Sequence, residues 1–579
     1  MSKQVKRILA LLLAVVMVIG LSACAGGGTS SANTPSKTES KTENTQSQEE
    51  KLYYNKEGFP ICDETITIEV TGVTGNTLDW NKTQTVAEVE KQMGIKMNCT
   101  TYADKEIFST QYAIMLTSNK LPDLFIQLDM PKSEINKNGE EGYLLNMADY
   151  LDLMPNFSKF MDEHPDFANY TKTADGKIYS FNRCRDTWSS RAMSWIYASN
   201  ADLDKYGIDM STVKTVDDFY NVLKSVKQQN PDAIPLSLTF ARESGQRVDW
   251  ILKAAFGVFS VNTSFATGVN EAGEVFLYDT TDNWRAYLSY MHKLYNEKLL
   301  DNEAFIQTTD NFHSKIQDGT AIFWGSWSSL SGVLANSDKA LGLNYYFLEG
   351  LTSDYNKTPT YLYYPEYTAN ARVWVSADTK YPEAICRLID YPFSDEGQIF
   401  FAYGVEGQGF NYTTDSMGNK IPDTTYAGLW DSTKYDDASK WHVQEIEIQN
   451  ALQMLVTSTA NKLIDAASDD ELQKMIDDEK HTYTQAALCE QAIRRDTTEK
   501  AVSMPFLVYT SEESEKRATL ATDIANELTL AHGEFIRGER DIDDDATWEN
   551  FKKSIDKLGI AELLAIDQAA YDRFAGKAK

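Results

Sequence analysis

Aromatic side chains in polar loops are the residues of this chain best suited to recognition chemistry. The sequence contains 11 Trp and 31 Tyr, and Trp80, Trp188, Trp324 and Trp327 each stand next to Gly, Ser or Asn. An aromatic face with amide or carboxylate neighbours combines apolar area with polar contacts, which is how proteins hold sugar rings. Any one of these side chains is equally well explained by core packing, but the set favours a carbohydrate cleft.

Motifs for catalysis or for bound ions are missing from the sequence. There is no G-x-S-x-G, H-E-x-x-H or P-loop pattern, and the six histidines are too scattered for a metal motif. Gly404–Gly409 has the wrong spacing for a dinucleotide site, and Asp541–Asp545 lacks the spaced ligands of a calcium loop. We therefore predict a binding protein and not an enzyme, with no catalytic residues, no metal and no cofactor.

Two other classes of protein stay open at this point. A glycoside hydrolase or lyase needs only two carboxylates at a fixed separation, and 85 acidic residues provide candidates. A peptide receptor is also compatible with an acidic chain. The formal charge of −30 excludes nucleic acid as a partner, because it repels phosphate backbones. That charge is compatible with a neutral or a cationic ligand.

The N-terminal segment has the composition of an export signal and a tether. A basic start precedes an apolar run, Ile8–Leu21, which is too short to cross a bilayer and is typical of a signal peptide, placed at 1–23. Residues 24–55 are mostly Gly, Ser, Thr, Asn, Gln, Glu and Lys. Such a segment buries too little apolar surface to fold, so we predict a flexible stalk.

Leu21-Ser-Ala-Cys24 resembles the bacterial lipobox, in which the leader is cut before a cysteine that carries a diacylglycerol. We therefore predict a palmitate-bearing lipoprotein whose only membrane contact is the Cys24 lipid. The body would lie at the outer face of the plasma membrane. An ordinary cleavage site followed by an unmodified cysteine is the alternative.

Five cysteines remain once Cys24 is set aside, at positions 62, 99, 184, 386 and 489. Five is an odd number, so at least one thiol is free. A Cys62–Cys99 bridge is conceivable, but we expect free buried thiols and no disulfide framework.

The globular body begins with alternating strand and helix patterns. The predicted elements are a strand at Thr65–Val70, a helix that ends at Met93, a strand at Ile95–Cys99, a helix at Ile107–Ser118 and a strand at Pro122–Ile126. This order predicts a parallel sheet with right-handed crossovers, and hence an α/β fold. Capping patterns that begin at Thr215, Ser468 and Thr510 predict further helices and a helix-rich C-terminus.

A family resemblance is carried by short blocks spread over nearly all of residues 60–575. The blocks are Lys120–Phe125, Gly142–Pro155, Asp175–Tyr179, Asp318–Ile322 with Trp327, Tyr381–Gly397, Gly533–Gly538 and Leu558–Arg573. Each block is weak alone, but their order resembles extracellular solute-binding protein family 1. These proteins are the receptors of carbohydrate ABC importers, and the likeness is greatest to the large LipO-like lipoproteins of Gram-positive bacteria.

The resemblance implies a two-lobed fold of the periplasmic-binding-protein type II, with an interlobe hinge. It places the crossovers near Asn182–Ser194 and Tyr363–Arg372. The first lobe would comprise 60–183 plus 372–412, and the second 190–365 plus 413–579. The expected partners are a carbohydrate, with an oligosaccharide as the favoured ligand, and the permease subunits of an ABC importer. The receptor itself is expected to be a monomer.

Candidate ligand-binding residues follow from these positions, because ligands of open α/β sheets lie beyond the carboxyl ends of strands. The candidates are Asn76, Asp79 and Trp80 after the first strand, Gln127 and Asp129 after the third, Trp188, Arg191 and Trp195 on the first crossover, Trp324 and Trp327 in the second lobe, and Tyr363 and Glu366 on the return. We expect Trp80 and Trp327 to stack on sugar rings, and Asp129 or Asp79 to bind paired hydroxyls.

One block departs from the family pattern. Many large members carry Arg-x-Asp-Trp before the segment equivalent to Leu203–Gly207, whereas this chain has Ser199-Asn-Ala-Asp202. A ligand contact made by that arginine or tryptophan in relatives would be altered here.

The stacking role of Trp327 leads to a direct test. Replacing Trp327 by Ala should weaken sugar binding roughly tenfold or more while the thermal midpoint barely changes, because a cleft side chain contributes to the ligand and not to the core. Titration calorimetry and thermal unfolding measure the two effects. Equal loss of both would identify Trp327 as a core residue.

Overall fold

A computed structural model describes the fold over residues 52–577. The gaps within that range are 75–77, 193, 241–248, 263–264, 328–344, 416, 424–425, 436–437, 447, 449–451, 453–458, 478–482 and 496–497. The predicted signal peptide and residues 24–51 of the predicted stalk lie outside the described residues.

Within the described residues, the strands form two four-stranded sheets and three two-stranded pairs. They are β1 (Ile66–Val73), β2 (Ile95–Tyr102), β3 (Leu124–Pro131), β4 (Ser194–Ser199), β5 (Ile234–Ser237), β6 (Thr267–Val269), β7 (Val275–Leu277), β8 (Ala321–Trp327), β9 (Tyr345–Phe347), β10 (Thr360–Tyr363), β11 (Asn370–Val375), β12 (Tyr412–Thr414), β13 (Lys420–Pro422) and β14 (Glu499–Val502).

The helices surround the two larger sheets and dominate the C-terminal part. They are α1 (Gln84–Met93), α2 (Lys105–Ser118), α3 (Lys132–Glu140), α4 (Pro155–Glu163), α5 (Pro165–Thr171), α6 (Trp188–Arg191), α7 (Asn200–Tyr206), α8 (Val216–Gln229), α9 (Trp250–Ala255), α10 (Asp282–Asn296), α11 (Thr309–Gln317), α12 (Pro382–Asp390), α13 (Asp395–Tyr403), α14 (Ala438–Trp441), α15 (Thr459–Ala466), α16 (Asp469–Asp477), α17 (Tyr483–Arg495), α18 (Ser511–Arg537), α19 (Asp545–Lys557) and α20 (Ile560–Phe574). Short 3₁₀ turns cover Trp80–Lys82, Met147–Leu153, Met210–Thr212, Tyr278–Thr280 and Tyr391–Phe393, and a π-helical turn covers His442–Ile446.

The first sheet has the strand order β11-β3-β1-β2. Strand β1 pairs in parallel with both β2 and β3, which confirms the predicted parallel arrangement. Strand β11 comes from much later in the chain and pairs antiparallel with β3. Buried side chains of all four strands, such as Ile68, Ile95, Ile126 and Val373, join one apolar cluster, which we call the first core.

The second sheet has the order β5-β8-β4-β9 and mixes directions. Strand β8 pairs in parallel with β5 and antiparallel with β4. Its side chains join a separate and larger cluster, the second core, which also takes in the buried faces of α18, α19 and α20. Two cores built on two sheets give the two-lobed α/β fold that the resemblance implies.

Local sequence signals fix several helix ends. Thr215 and Thr510 form reciprocal capping boxes with Asp218 and Glu513. At the start of α16, the N–H and the hydroxyl of Ser468 both donate to the carboxylate of Glu471. These side chains satisfy backbone N–H groups that have no partner within the helix. All three predicted helix starts are therefore confirmed.

Part of the chain after residue 412 packs on the first core. Ile448 and Leu452 belong to that cluster, and the Thr85 hydroxyl donates to the carbonyl of Ile446 at 2.7 Å. Residues from α18 onward pack instead on the second core, as Ile524 and Leu528 show. The C-terminal part is therefore shared between the two cores.

Two extended segments link the sheets and lie side by side. Residues 181–185 lead towards β4, and 366–373 return into β11; we call the pair the crossover ribbon. The Phe181 carbonyl accepts from the Arg372 N–H at 2.9 Å, and the Arg183 carbonyl accepts from the Thr368 N–H at 2.9 Å. The Asn182 amide adds bonds to the carbonyls of Thr368 and Asn370 at 3.0 and 2.7 Å.

A third passage, 503–508, runs beside this ribbon. The Ser503 N–H donates to the carbonyl of Tyr363 at 3.1 Å, and the Tyr367 hydroxyl donates to the carbonyl of Phe506 at 3.0 Å. Phe506 and Val508 pack against the first core before α18 returns to the second. This segment therefore contacts both cores.

The cysteines of the described chain are all buried and free: Cys62, Cys99, Cys184, Cys386 and Cys489. Free buried thiols are thus confirmed, and Cys62 and Cys99 form no bridge. Among the described helices, none combines the length and the apolar character that a membrane crossing requires.

A histidine–carboxylate pair fastens the ribbon to the first core. His164, at the end of α4, stacks on Phe160 with ring centroids 4.1 Å apart, and its Nδ1 lies 2.5 Å from Glu366 Oε1. Burial alone would lower the pKa of His164. The hydrogen bond and the negative charge of Glu366 outweigh burial, so the pKa of His164 is raised above its ordinary 6.5.

This pair should make stability depend on pH. A raised folded-state pKa gives stabilisation that is complete below the unfolded pKa and is lost as pH rises through the folded value. We expect thermal unfolding of the wild type to show this loss as the pH rises above the ordinary histidine pKa of about 6.5, and Glu366→Gln to flatten it. Asp354→Asn, in an exposed ion pair with Lys357, is the control for removing one negative charge. Superimposable wild-type and Glu366→Gln profiles would contradict the prediction.

Candidate functional site

The crossover ribbon gathers cationic side chains. Arg183 and Arg185 are two residues apart on an extended segment, so they point to the same side. Arg372 lies on the neighbouring segment, and we call these three residues the arginine cluster. Burial, together with the positive charges of Arg372 and Arg185, lowers the pKa of Arg183 to about 9. Burial also lowers the pKa of Arg185 and of Arg372.

Asp129 supplies a negative charge at the cluster. Arg372 Nη1 lies 3.3 Å from Asp129 Oδ1 and 3.2 Å from Oδ2, while the Asp129 side chain remains 46% exposed. The guanidinium of Arg185 sits over the ring of Tyr364, 5.1 Å from its centroid. The predicted ligand residue Asp129 therefore lies in a charged site that faces partly to solvent.

The backbone that presents Asp129 is strained. Gln127 and Asp129 have φ values of 58° and 47°, in the left-handed region that side chains other than glycine and asparagine avoid. The pairing of β3 with β11 shifts register here, between Ala371 and Val373. Such strain costs roughly 1–3 kcal/mol per residue and concentrates at binding sites. The Gln127 Oε1 atom is buried and, within the described chain, accepts no hydrogen bond.

The other side of the ribbon has the donor types of a metal site. Donor atoms of His164, Cys184 and Glu366 all lie within 4.8 Å of one another. The His164–Glu366 hydrogen bond already uses two of these groups. Burial raises the pKa of the Cys184 thiol well above its usual range, and the carboxylates of Glu366 and Asp186 raise it further. Since a metal needs the thiolate, this trio fits an ion pair beside a neutral thiol better than a metal centre.

A cavity of about 410 Å³ opens on that same side. Arg191 and Glu366, both predicted ligand residues, line it together with Asp166, Tyr367 and Met504. The Nε of Arg191 donates to the carbonyl of Tyr364 at 2.8 Å, so this side chain also holds the ribbon. The structure therefore brings Arg191 and Glu366 together, on the side of the ribbon opposite the arginine cluster.

Four of the aromatic residues that were predicted to contact the ligand lie in the core instead. Trp80 has no exposed surface, and its indole lies against Gly72, where a Cβ would come within 2.3 Å of the ring. Trp195 stacks on Tyr361 with centroids 4.3 Å apart and is 1% exposed. Trp324 and Tyr363 are 2% and 0% exposed. These rings have no free face. The packing therefore disagrees with the stacking role expected for Trp80 and with ligand contact by Trp195, Trp324 and Tyr363.

Two other predicted residues remain accessible in part. The ring of Trp188 contacts the guanidinium of Arg191 at 4.6 Å and the ammonium of Lys500 at 4.8 Å, each measured to its centroid. Asp79 is 44% exposed, caps the turn at Trp80–Lys82 and pairs with Lys82 at 3.3 Å. Asp79 can still reach a ligand, whereas Trp188 is already covered by cations.

Two predicted residues fall on parts that are not described. Asn76 lies outside the described residues. The backbone of Trp327 ends β8 and pairs with Ser194, while its side chain is outside the description.

The sequence interpretation missed the arginine cluster. Arg183 and Arg185 alternate around Cys184 in the segment predicted as a crossover, and that period of two would have placed both on one side. Arg372 is nearly two hundred residues later, so only the pairing of the ribbon brings it to the site.

Comparison with known proteins identifies the family. A profile of bacterial extracellular solute-binding proteins matches residues 84–402, more than half of the chain. The fructooligosaccharide ABC transporter substrate-binding protein FusA of Streptococcus pneumoniae is 23% identical over 515 residues, 86% of this chain and 88% of the relative. The polygalacturonan/rhamnogalacturonan-binding protein YtcQ of Bacillus subtilis is 25% identical over 214 residues, 37% of this chain and 40% of the relative.

Solved structures agree on the fold. FusA in complex with fructo-nystose superimposes with a TM-score of 0.66 at 20% identity, covering 89% of this chain and all of that one. An extracellular solute-binding protein from Bifidobacterium longum subsp. infantis gives 0.67 at 18% identity, covering 88% of this chain and 98% of that one. The two-core architecture and the profile match together show that the chain belongs to the bacterial extracellular solute-binding proteins.

Proposed function

We propose that this protein is the carbohydrate receptor of an ABC importer and that it takes an oligosaccharide. The observation that carries the proposal is the pair of separate cores linked by the crossover ribbon, which bears a partly exposed polar site. The similarity to FusA over 86% of the chain supports a sugar ligand.

The mechanism we propose is closure of the two lobes by rotation about the crossover ribbon. A ligand between the lobes contacts both of them only when they are closed, so it shifts the equilibrium by its preference for that state. The hydrogen-bonded ribbon keeps the two lobes in register while they rotate. The permease subunits of the importer would then bind the closed form, and the sugar would be released chemically unchanged.

We propose lobe boundaries that follow the membership of the two cores. The first lobe would comprise 60–183 and 372–412, extended to about 452 because Ile448 and Leu452 pack in the first core. The second lobe would comprise 190–365 and the remaining C-terminal residues, in which α18–α20 pack on the second core.

We also propose that the receptor acts as a monomeric lipoprotein outside the cell. The Leu21–Cys24 motif supports cleavage after residue 23 and a lipid on Cys24. A flexible stalk of this length spans roughly 30 Å, which would hold the body near the permease at the outer face of the plasma membrane.

The function can be tested with a panel of oligosaccharides. A cognate sugar at a hundred times its Kd should stabilise the folded chain by about 2.7 kcal/mol, because it binds only the folded state. Thermal unfolding identifies the sugar, small-angle scattering should show a smaller radius of gyration with it, and mass spectrometry should recover it intact. A stereoisomer that does not bind is the control. New reducing ends during incubation would indicate a hydrolase or lyase instead.

A further inference from the structure

The arginine cluster contains one guanidinium, that of Arg185, for which the described residues supply no hydrogen-bond acceptor at two of its nitrogen atoms. Its neighbour Arg372 pairs with Asp129. We propose that the ligand of this site carries a carboxylate, as an oligosaccharide that contains uronic acid does. This inference rests on the proposed function and narrows its substrate class.

Arg185 is the residue that most needs a partner. Its Nε and Nη1 atoms are buried, and in the described part of the chain they make no hydrogen bond. Leaving a buried guanidinium without hydrogen bonds is costly, because the nitrogen atoms have given up water. Two partly buried arginines elsewhere, Arg517 and Arg573, each contact a carboxylate, of Asp567 and Glu513 respectively.

Asp129, the acid that the described residues place at the cluster, does not fill this need. Asp129 contacts Arg372 through Nη1 alone, at 3.2 and 3.3 Å. Asp129 therefore does not form a bidentate ion pair with two nitrogen atoms of the Arg372 guanidinium. Asp129 is also 46% exposed, so a ligand can approach the same place from solvent.

The geometry of Arg185 suits a planar anion. Tyr364 supports one face of the guanidinium at 5.1 Å, which limits its rotation and fixes the direction of its N–H groups. A fixed guanidinium fork matches the two oxygens of a carboxylate in a bidentate arrangement. A neutral hydroxyl would accept a hydrogen bond from one N–H group and would not neutralise the guanidinium of Arg185.

The acidic surface of the chain does not oppose this assignment. Exposed charges are screened beyond about 8–10 Å at physiological ionic strength, so a short ligand responds chiefly to the groups beside it. A long polyanion would still be repelled by the net charge of −30. The site therefore favours short oligosaccharides in which the cluster receives one acidic ring.

The test compares uronic-acid trisaccharides with their methyl esters, which differ only in the carboxylate charge. We expect titration calorimetry to give at least about tenfold tighter binding for one of the acids than for its ester, since the ester lacks charge-assisted bonds. The preference should weaken as salt is added.

Two variants locate the effect. Arg185→Gln should remove most of the acid-over-ester preference, and Arg185→Lys, which keeps the charge but not the fork, should retain only part of it. Arg537→Gln is the matched control, because this arginine pairs with Glu539 at the end of α18. Circular dichroism and thermal unfolding check that each variant is folded. If Arg185→Gln fails to fold, Arg185→Lys decides the assignment.

The outcomes separate this inference from the proposed function. Equal binding of acid and ester, or binding of neutral sugars alone, overturns the carboxylate assignment and leaves the receptor intact. An acid preference that Arg185→Lys does not change also overturns it. Binding of no sugar in either set overturns both.

Discussion

The pairing of residues 181–185 with 366–373 is the constraint on which the rest of this structure depends. Two sheets, each with its own apolar core, are held at a defined orientation by backbone hydrogen bonds such as Thr368 N–H to Arg183 carbonyl. The same pairing assembles the site, because it joins residues that are nearly two hundred positions apart. In the proposed mechanism, one ribbon therefore provides both the hinge and the recognition surface. Any ligand that contacts the ribbon also contacts the element about which the lobes would move.

The architecture follows from local patterns to a large extent. Alternating apolar residues in Ile66–Val73 and the stop signal Gly94 after α1 mark a strand and a helix, and these elements form where expected. Capping boxes at Thr215 and Thr510 mark helix starts equally well. What these patterns lack is the position of β11, whose antiparallel pairing with β3 closes a loop of more than two hundred residues. Pairing at that separation is a property of the folded chain, not of a sequence window.

The candidate site was harder to predict, because residue type alone does not decide whether an aromatic ring is used for packing or for recognition. Trp80 sits in a polar loop, yet its ring covers Gly72 in the first core. Asp129 was expected beyond the end of the third strand, but it lies within β3, where the pairing with β11 shifts register and Asp129 has a positive φ. Prediction of the arginine cluster required two facts that no short segment contains. These are the side on which an extended segment presents its residues, and which segment pairs with it.

The buried thiols have a consequence for life outside the cell. Burial raises the pKa of Cys62 to about 11 and that of Cys99 and Cys489 to about 12, so these sulfur atoms stay protonated and shielded from solvent. A neutral, inaccessible thiol reacts slowly with oxidants and with disulfides. The described body also contains no disulfide that reducing surroundings could cleave. Its covalent framework therefore does not depend on the formation of a cystine bridge.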